Sequence, residues 1–292
     1  MYQQLLKITL GYLLVFLCLT ACRRERTSEA SEEMNNGGIA LNAEIMGLGN
    51  FFGNVLSDVV LINVQEGPSS TLATTELKEL FSLTERDDNY FIFNLHQQQT
   101  LNEEAFINEI SNEEAKRATQ KSVDMLVQTI QYFKEQVKKV YVLGIAYGAY
   151  LVQELLVREN TSIADKYLLM AGRLDIPAII WQSFSEGNTG GFINGTTPFT
   201  GTPSTLTAVE KNHNKLFAAL AEKRYTVELA KYNDLTNLTY CFGLQDEVMG
   251  QLSQNEQALL ITRQANLLEI DANHQATIEG LLEEGFAIAF EE

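Results

Sequence analysis

Residues 140–148 read VYVLGIAYG, and of all segments this one says most about the fold. Its first four residues form a short apolar run that predicts a buried strand, and a helical pattern follows from about residue 149 to residue 159. Gly144 and Gly148 surround Ala146 between the two elements, where a sharp turn leaves no space for neighbouring Cβ atoms. The stretch therefore predicts a strand that bends abruptly into a helix.

Short apolar runs alternate with helical patterns through most of the chain. Thr100 and Ser111 each begin the Ser/Thr-x-x-Glu pattern of a capping box, and the second opens a long predicted helix. This alternation favours an α/β fold, in which a mostly parallel central sheet is covered by helices on both faces. The other predicted strands are Ser57–Val64, Tyr90–Leu95, Lys166–Met170, Leu238–Phe242 and Asn266–Ile270, and a helix from Gln275 to Phe290 follows them.

The segment from about residue 175 to about residue 235 breaks this alternation. Its middle, residues 187–207, is rich in Gly, Thr, Ser, Asn and Pro, and helical patterns flank it on both sides. An insertion of that length between two sheet strands is too long for an ordinary loop, and such segments commonly form lids or binding elements. We therefore predict an inserted helical lid within one domain that spans residues 39–292.

The N-terminal residues predict export from the cytoplasm. Lys7 is the one charged residue before Cys22, and the apolar run from Ile8 to Leu19 is short and ends in small residues. This pattern is typical of a signal peptide, which we place at residues 1–21.

Residues 19–22, LTAC, resemble a bacterial lipobox, in which the cysteine is diacylated and becomes the first residue of the mature chain. Cleavage near Ala21 without lipidation is the alternative interpretation. Residues 22–38 are polar, lack apolar periodicity and predict a flexible tether. We therefore expect a protein of the bacterial cell envelope that is attached through Cys22 to a membrane and faces the periplasm or the cell surface.

The charge and the motif content exclude several classes of function. The formal net charge of −17 argues against nucleic acid as a partner, because phosphate binding requires clustered cations. The chain has no P-loop, no dinucleotide-binding fingerprint and no His/Cys cluster with metal-ligand spacing, so we expect neither a cofactor nor a metal. Maturation at Cys22 leaves Cys241 as the second cysteine, which we interpret as a buried strand residue.

The bend around Ala146 resembles the nucleophile elbow of the α/β-hydrolase superfamily, whose pattern is Gly-x-Ser-x-Gly between a strand and a helix. Both glycines are present, and Ala146 occupies the position of the serine. In that family the acid and the histidine follow the nucleophile in this order along the chain. Asp246 and His274, each in a loop directly after a predicted strand, resemble that acid and that histidine.

The residues QEGP at positions 65–68, after the first buried strand, resemble the Gln-Gly-Gly-Pro or His-Gly-Gly-Pro oxyanion loop of the same family. Gly67 matches this pattern, whereas Glu66 stands where the family has a glycine. The resemblance also implies that the backbone N–H of Tyr147 is an oxyanion donor. The loop is similar to that of prolyl-aminopeptidase-like hydrolases, which makes this branch one alternative.

Three hypotheses about function follow from an alanine at the elbow. The first is a pseudoenzyme that binds a small molecule, a peptide or a protein partner under the lid, because a methyl group cannot attack a carbonyl. The second is a hydrolase or lyase in which an Asp246–His274 dyad acts on water or on a substrate proton without a covalent intermediate. In the third, the elbow assignment is wrong and another serine attacks, with Ser69, Ser183 and Ser185 as candidates.

The other two histidines lie outside the predicted acid–histidine pair. His96 lies at the end of a predicted strand, and we expect it to be partly buried there. His213 lies in the predicted lid, and we expect it to be solvated.

Overall fold

The computed structural model describes residues 38–84 and 86–291. Residues 1–37 contain the predicted signal peptide, Cys22 and all but the last residue of the predicted tether, so these predictions lie outside the described residues. Within the described ranges, no helix is both long and apolar enough to cross a membrane.

The strands of the described residues form a seven-stranded sheet and a two-stranded hairpin. They are β1 Gly49–Gly53, β2 Val59–Val64, β3 Phe91–Leu95, β4 Lys139–Ile145, β5 Lys166–Met170, β6 Thr189–Ile193, β7 Thr197–Gly201, β8 Leu238–Gly243 and β9 Asn266–Ile270. The large sheet has the order β1-β3-β2-β4-β5-β8-β9, in which β1 runs antiparallel to β3 and the other neighbours pair in parallel. The predicted mostly parallel sheet is therefore confirmed.

Helices cover both faces of this sheet. They are α1 Ala43–Met46, α2 Thr74–Ser82, α3 Gln98–Leu101, α4 Asn112–Glu135, α5 Tyr147–Glu159, α6 Ala178–Ser185, α7 Ala208–Ala221, α8 Tyr225–Leu229, α9 Gln254–Thr262 and α10 His274–Phe290, with 3-10 turns at Asp87–Asn89 and Glu103–Phe106. The Phe133 ring of α4 lies 5.8 Å from that of Phe93, and the Phe290 ring of α10 stacks on that of Tyr141 at 4.9 Å. Phe93 and Tyr141 pair with consecutive residues of β2, so the two rings contact opposite faces of the sheet.

The insertion between β5 and β8 contains helices, as predicted, but also a hairpin. Along the chain, α6 precedes β6 and β7, and α7 and α8 follow them. The two strands pair antiparallel. The glycine-rich composition of residues 187–207 hid these strands, although a turn that contains Gly195 joins them. Backbone N–H groups of Phe192 and Gln251 bond to the carbonyls of Glu247 and Gly195, and these bonds attach the hairpin to the loop after β8.

The two capping boxes predicted from the sequence have different outcomes. Ser111 and Glu114 form the predicted capping box at the start of α4. The box predicted at Thr100 is wrong, because α3 begins earlier and Thr100 lies inside its first turn, where its hydroxyl accepts the backbone N–H of Gln97 at 2.9 Å. The segment that contains Glu103 is a separate 3-10 turn, so the predicted partner of Thr100 belongs to another element.

Candidate active site

The candidate site lies where the strand order reverses. From β2 the chain continues to β3 on one side and then returns to β4 on the other side of β2. In an open α/β sheet the crevice outside the carboxyl ends of the strands at such a point is where ligands bind. Glu66 and Gly67 follow the end of β2, and Ala146 follows the end of β4. Topology therefore brings the predicted oxyanion loop beside the predicted elbow.

The bend at Ala146 is a strained backbone turn. Its φ of 49° and ψ of −109° lie in a region that side-chain-bearing residues rarely adopt, and its side chain is buried. A Cβ atom at Gly148 would lie 2.0 Å from the carbonyl oxygen of Val64, so helix α5 contacts β2 too closely for any side chain at that position. The glycine pattern of the sequence thus reflects a real steric requirement.

Asp246 and His274 form a buried hydrogen-bonded pair. One carboxylate oxygen of Asp246 lies 2.8 Å from Nδ1 of His274, and the other accepts the backbone N–H groups of Val248 and Met249 at 2.9 and 2.8 Å. The two side chains are 1% and 7% exposed, respectively. With its Nδ1 fixed in this way, the imidazole presents Nε2 towards the cavity, as a catalytic histidine does.

Glu66 approaches that second ring nitrogen. Its carboxylate oxygen lies 3.6 Å from Nε2 of His274, an ion-pair distance, and its side chain is about half exposed. The exposed Glu247 accepts the backbone N–H of His274 at 3.0 Å. Three carboxylates, those of Asp246, Glu66 and Glu247, therefore contact His274. The sequence marked Glu66 as a departure from the oxyanion pattern, but its contact with His274 emerges only from the fold.

The pKa of His274 reflects this surrounding charge. Burial lowers the pKa of the imidazole, but the hydrogen bond to Asp246 and the neighbouring Glu66 carboxylate outweigh burial and raise the pKa to about 9. At neutral pH His274 is therefore an imidazolium that lies between two carboxylates. A protonated imidazole cannot accept a proton, so it cannot act as a general base until the pH approaches its pKa.

Tyr147 and Gly67 are two of the residues that the sequence predicted for the oxyanion site. Tyr147 is the first residue of α5, and N–H groups of a first helical turn have no partner within the helix. Gly67 has a φ of +146° in the loop opposite. The Tyr147 side chain turns away into the core, where its buried hydroxyl has no hydrogen-bond partner among the described residues and burial raises its pKa.

A cavity of about 210 Å³ lies in front of the bend and the imidazole. Ala146, His274 and Glu66 line it, together with Gly67, Pro68 and lid residues of α6, β6 and α7. Because Ala146 and His274 face one cavity, the fold brings the predicted elbow, acid, histidine and oxyanion loop together in one place.

His213 lies at this cavity, and the predicted solvated position is wrong. It is half-buried, and its Nε2 atom lies 3.3 Å from Oγ of Ser70 in the loop after β2. Burial lowers the pKa of His213. Sequence reasoning missed this residue because only the packing of α7 over the loop after β2 determines which way its side chain points. His96, by contrast, is partly buried as predicted and bonds to Thr100 at 2.9 Å.

The hydroxyl groups of the three alternative serines bond to backbone groups and not to a histidine. Ser69 accepts the backbone N–H of Thr71. Ser183 donates to the carbonyl oxygen of Thr189 at 2.8 Å, and Ser185 donates to that of Gln182 at 2.7 Å. These contacts are local loop, strand and helix bonds. None of the three provides the serine–histidine contact that nucleophilic attack requires.

No group of three or more His, Cys, Asp or Glu side chains within the described ranges is arranged to hold a metal ion. Cys241 is fully buried in β8, and burial raises the pKa of its thiol, so the predicted role as a strand residue is confirmed.

The architecture is similar to that of solved α/β-hydrolases. One is a structure from the pair LipS and LipT, two metagenome-derived lipolytic enzymes, with a TM-score of 0.52, 12% identity, and coverage of 84% of this chain and 98% of that one. Another is MGS-M2, an α/β-hydrolase enzyme from a Medee basin deep-sea metagenome library, with a TM-score of 0.52, 12% identity, and coverage of 82% and 91%. Comparisons with protein-family models and with curated proteins give no match. The chain therefore has the predicted α/β-hydrolase fold, and identities this low establish the fold alone.

Proposed function

We propose that this chain is a pseudoenzyme, a lipid-anchored α/β-hydrolase-like protein that binds a ligand in the cavity beneath its lid without ordinary serine hydrolysis. The observation that carries the proposal is the alanine methyl group at the strained bend, in the cavity that His274 also lines. A methyl group forms no acyl-enzyme intermediate, and loss of the serine nucleophile in a hydrolase template costs on the order of 10⁶ in kcat.

The contact between Glu66 and His274 supports the proposal independently. In a serine hydrolase, Nε2 of the histidine accepts the proton of the nucleophile. Here that nitrogen faces a carboxylate at 3.6 Å, and the pKa of about 9 keeps it protonated at neutral pH. Two separate side chains, Ala146 and Glu66, thus oppose the serine mechanism.

The decisive experiment compares the native protein with Ala146→Ser and with the double variant Ala146→Ser/Glu66→Gly, using short-chain p-nitrophenyl esters. We expect no native turnover above background, weak turnover in the single variant, and turnover on the order of 10-fold or more higher in the double variant at pH 7, because removal of Glu66 lowers the pKa of His274.

Ala146→Ser/Glu66→Gly/His274→Ala is the matched control and should return the activity to background. Native turnover that survives both Ala146→Ser and His274→Ala would contradict the pseudoenzyme and require a nucleophile elsewhere.

A second candidate function rests on the intact Asp246–His274 pair, which supports acid–base chemistry without a covalent step. With a pKa of about 9, His274 is a general acid at neutral pH and a base only at alkaline pH. This candidate predicts native turnover of esters or amides that rises towards pH 9 and disappears in His274→Gln. A flat, background-level profile over that range excludes it for those substrates.

Attachment to the membrane of the cell envelope through Cys22 belongs to the same proposal and is supported by the lipobox-like residues 19–22. Expression in a Gram-negative host with an alkyne-tagged fatty acid should label the native protein. Cys22→Ser should remove the label and prevent lipoprotein processing. A labelled Cys22→Ser variant, or an unlabelled native chain cut near Ala21, would overturn the lipid anchor.

A further inference from the structure

We infer that the cavity selects a small organic cation, a primary ammonium group on a short apolar chain, and rejects carboxylates. This inference rests on the proposed function, since it names the class of ligand that the impaired site binds. It depends on three features of the cavity, which are the local charge, the aromatic wall and the volume.

The charge around the cavity is negative. Glu66, Asp246 and Glu247 all contact His274, and these three carboxylates exceed one imidazolium even when the ring is protonated. Of the three, Glu66 lines the cavity and the other two do not. Glu66 also borders a second cavity of about 270 Å³, where Glu76 adds another carboxylate. Among the described residues that line the two cavities, none is a lysine or an arginine.

The carboxylate of Glu66 is accessible to a ligand. It is about half exposed, and one of its oxygens lies at ion-pair distance from the imidazole, which leaves acceptor capacity on the carboxylate. Asp246, by contrast, is 1% exposed, and its hydrogen bonds to His274 and to two backbone N–H groups occupy its oxygens. Glu66 is therefore the group that a cation entering the cavity would contact.

The aromatic part of the lining suits a cation with an apolar substituent. Phe184 and Phe217 both line the cavity, and their rings meet edge to face with centroids 5.1 Å apart. Aromatic faces attract ammonium groups, and Val248 and Met249 extend the apolar surface. A volume of about 210 Å³ admits a short chain but not a drug-sized ligand. The net charge of −17 over the whole chain also favours the approach of cations over that of anions.

A ligand-binding titration tests this inference. The full chain in detergent is titrated with butylammonium, butanol or butyrate, and binding is followed by ligand-observed saturation-transfer NMR. We expect saturable binding of butylammonium, weaker binding of butanol and no binding of butyrate. Glu66→Gln should weaken butylammonium binding by about 10-fold, because it replaces a charge-assisted hydrogen bond by a neutral one. Glu283→Gln removes the same charge at an exposed position of α10, nine residues along the helix from His274, and should leave binding unchanged.

Glu76→Gln distinguishes the two cavities that meet at Glu66. Unchanged binding in this variant supports the lid-covered cavity, and a loss as large as that in Glu66→Gln places the cation in the neighbouring cavity and overturns the inference. Butyrate binding as strong as butylammonium binding, or no effect of Glu66→Gln, overturns it as well. Native ester turnover would contradict the pseudoenzyme but would leave this measured ion selectivity standing, so the two failures are distinguishable.

Discussion

The two halves of the candidate site differ in how far they keep a hydrolase arrangement. On the side of β8 and β9, Asp246 holds His274 at 2.8 Å in the geometry that orients a catalytic imidazole. On the side of β2 and β4, the backbone keeps the strained bend and the close contact at Gly148, but the side chains are a methyl group and a carboxylate. Packing preserves the backbone of both halves, whereas the chemistry depends on single side chains that packing does not determine.

Gly148→Ala should have the largest effect, since it tests whether the backbone of the elbow half is held by packing. The new methyl group would lie 2.0 Å from a backbone oxygen of β2, which cannot yield as a flexible side chain can. We expect a loss of about 3 kcal/mol in the free energy of unfolding, at the upper end of the range for overpacking. Urea unfolding measures it.

The control is Gly280→Ala in α10, where the added Cβ meets only the end of the Ile270 side chain at 3.0 Å. Because alanine favours a helix over glycine by roughly 0.5–1 kcal/mol, that variant should be neutral or slightly more stable. Equal effects of the two changes would show that the elbow contact is not a steric limit.

The acid–histidine half should make stability fall as the pH rises from 7 to 9. His274 has a folded pKa of about 9 against an ordinary value of 6.5, so the folded state binds one more proton than the unfolded state between these values. The stabilisation is complete below pH 6.5, decreases as the pH rises towards 9 and is lost above it. At about 1.4 kcal/mol per pKa unit, the stabilisation is at most about 3 to 4 kcal/mol.

Urea unfolding at pH 7, 8 and 9 measures this slope, and His274→Gln should remove most of it. A smaller decrease near pH 9 remains, because burial raises the pKa of the Cys241 thiol in the folded state. The lowered pKa values of His96 and His213 act in the opposite direction but only below pH 6.5, so they do not enter this window. An equally steep loss in His274→Gln would assign the slope to other groups.

The two carboxylates should contribute unequally to the pKa of His274. Asp246→Asn removes a buried charge at 2.8 Å and should lower the pKa more than Glu66→Gln, which removes a half-exposed charge at 3.6 Å. The chain has three histidines, so NMR titration of labelled imidazoles resolves each one. A larger decrease of this pKa in Glu66→Gln would show that Glu66 raises the pKa of His274 more than Asp246 does.

Ser70→Ala should have the smallest effect, because it removes a single contact between the loop after β2 and the lid. Ser70 and His213 lie 3.3 Å apart, near the upper limit for a hydrogen bond. We expect a loss of about 0.5–1 kcal/mol by urea unfolding. Ser185→Ala, which removes a local hydroxyl–carbonyl bond on an exposed helix end, is the matched control. A loss above about 2 kcal/mol would make this contact a principal attachment of the lid.

Sequence patterns predicted the parts of the fold whose signals are local. The strand and glycines around Ala146, and the chain order of Asp246 and His274, are visible because burial and backbone strain restrict residue types at each position. Strand β1 and helix α2 were missed. Strand β1 is short and begins and ends with glycine, and the N-cap residue of α2, Ala73, forms no side-chain cap. Both elements depend on neighbours that lie far away in the sequence.

Residue identity and chain order establish that a methyl group stands at the elbow and which acid and histidine follow it, because neither needs coordinates. The contact between Glu66 and Nε2 of His274, and the position of His213 at the cavity, follow from the folded structure and not from the sequence. These contacts join residues on different elements, and their distances are set by how the loops after β2 and β9 and the helix α7 pack together. The protonation state of His274 follows from that packing, because a pKa responds to nearby charge and burial rather than to position in the chain.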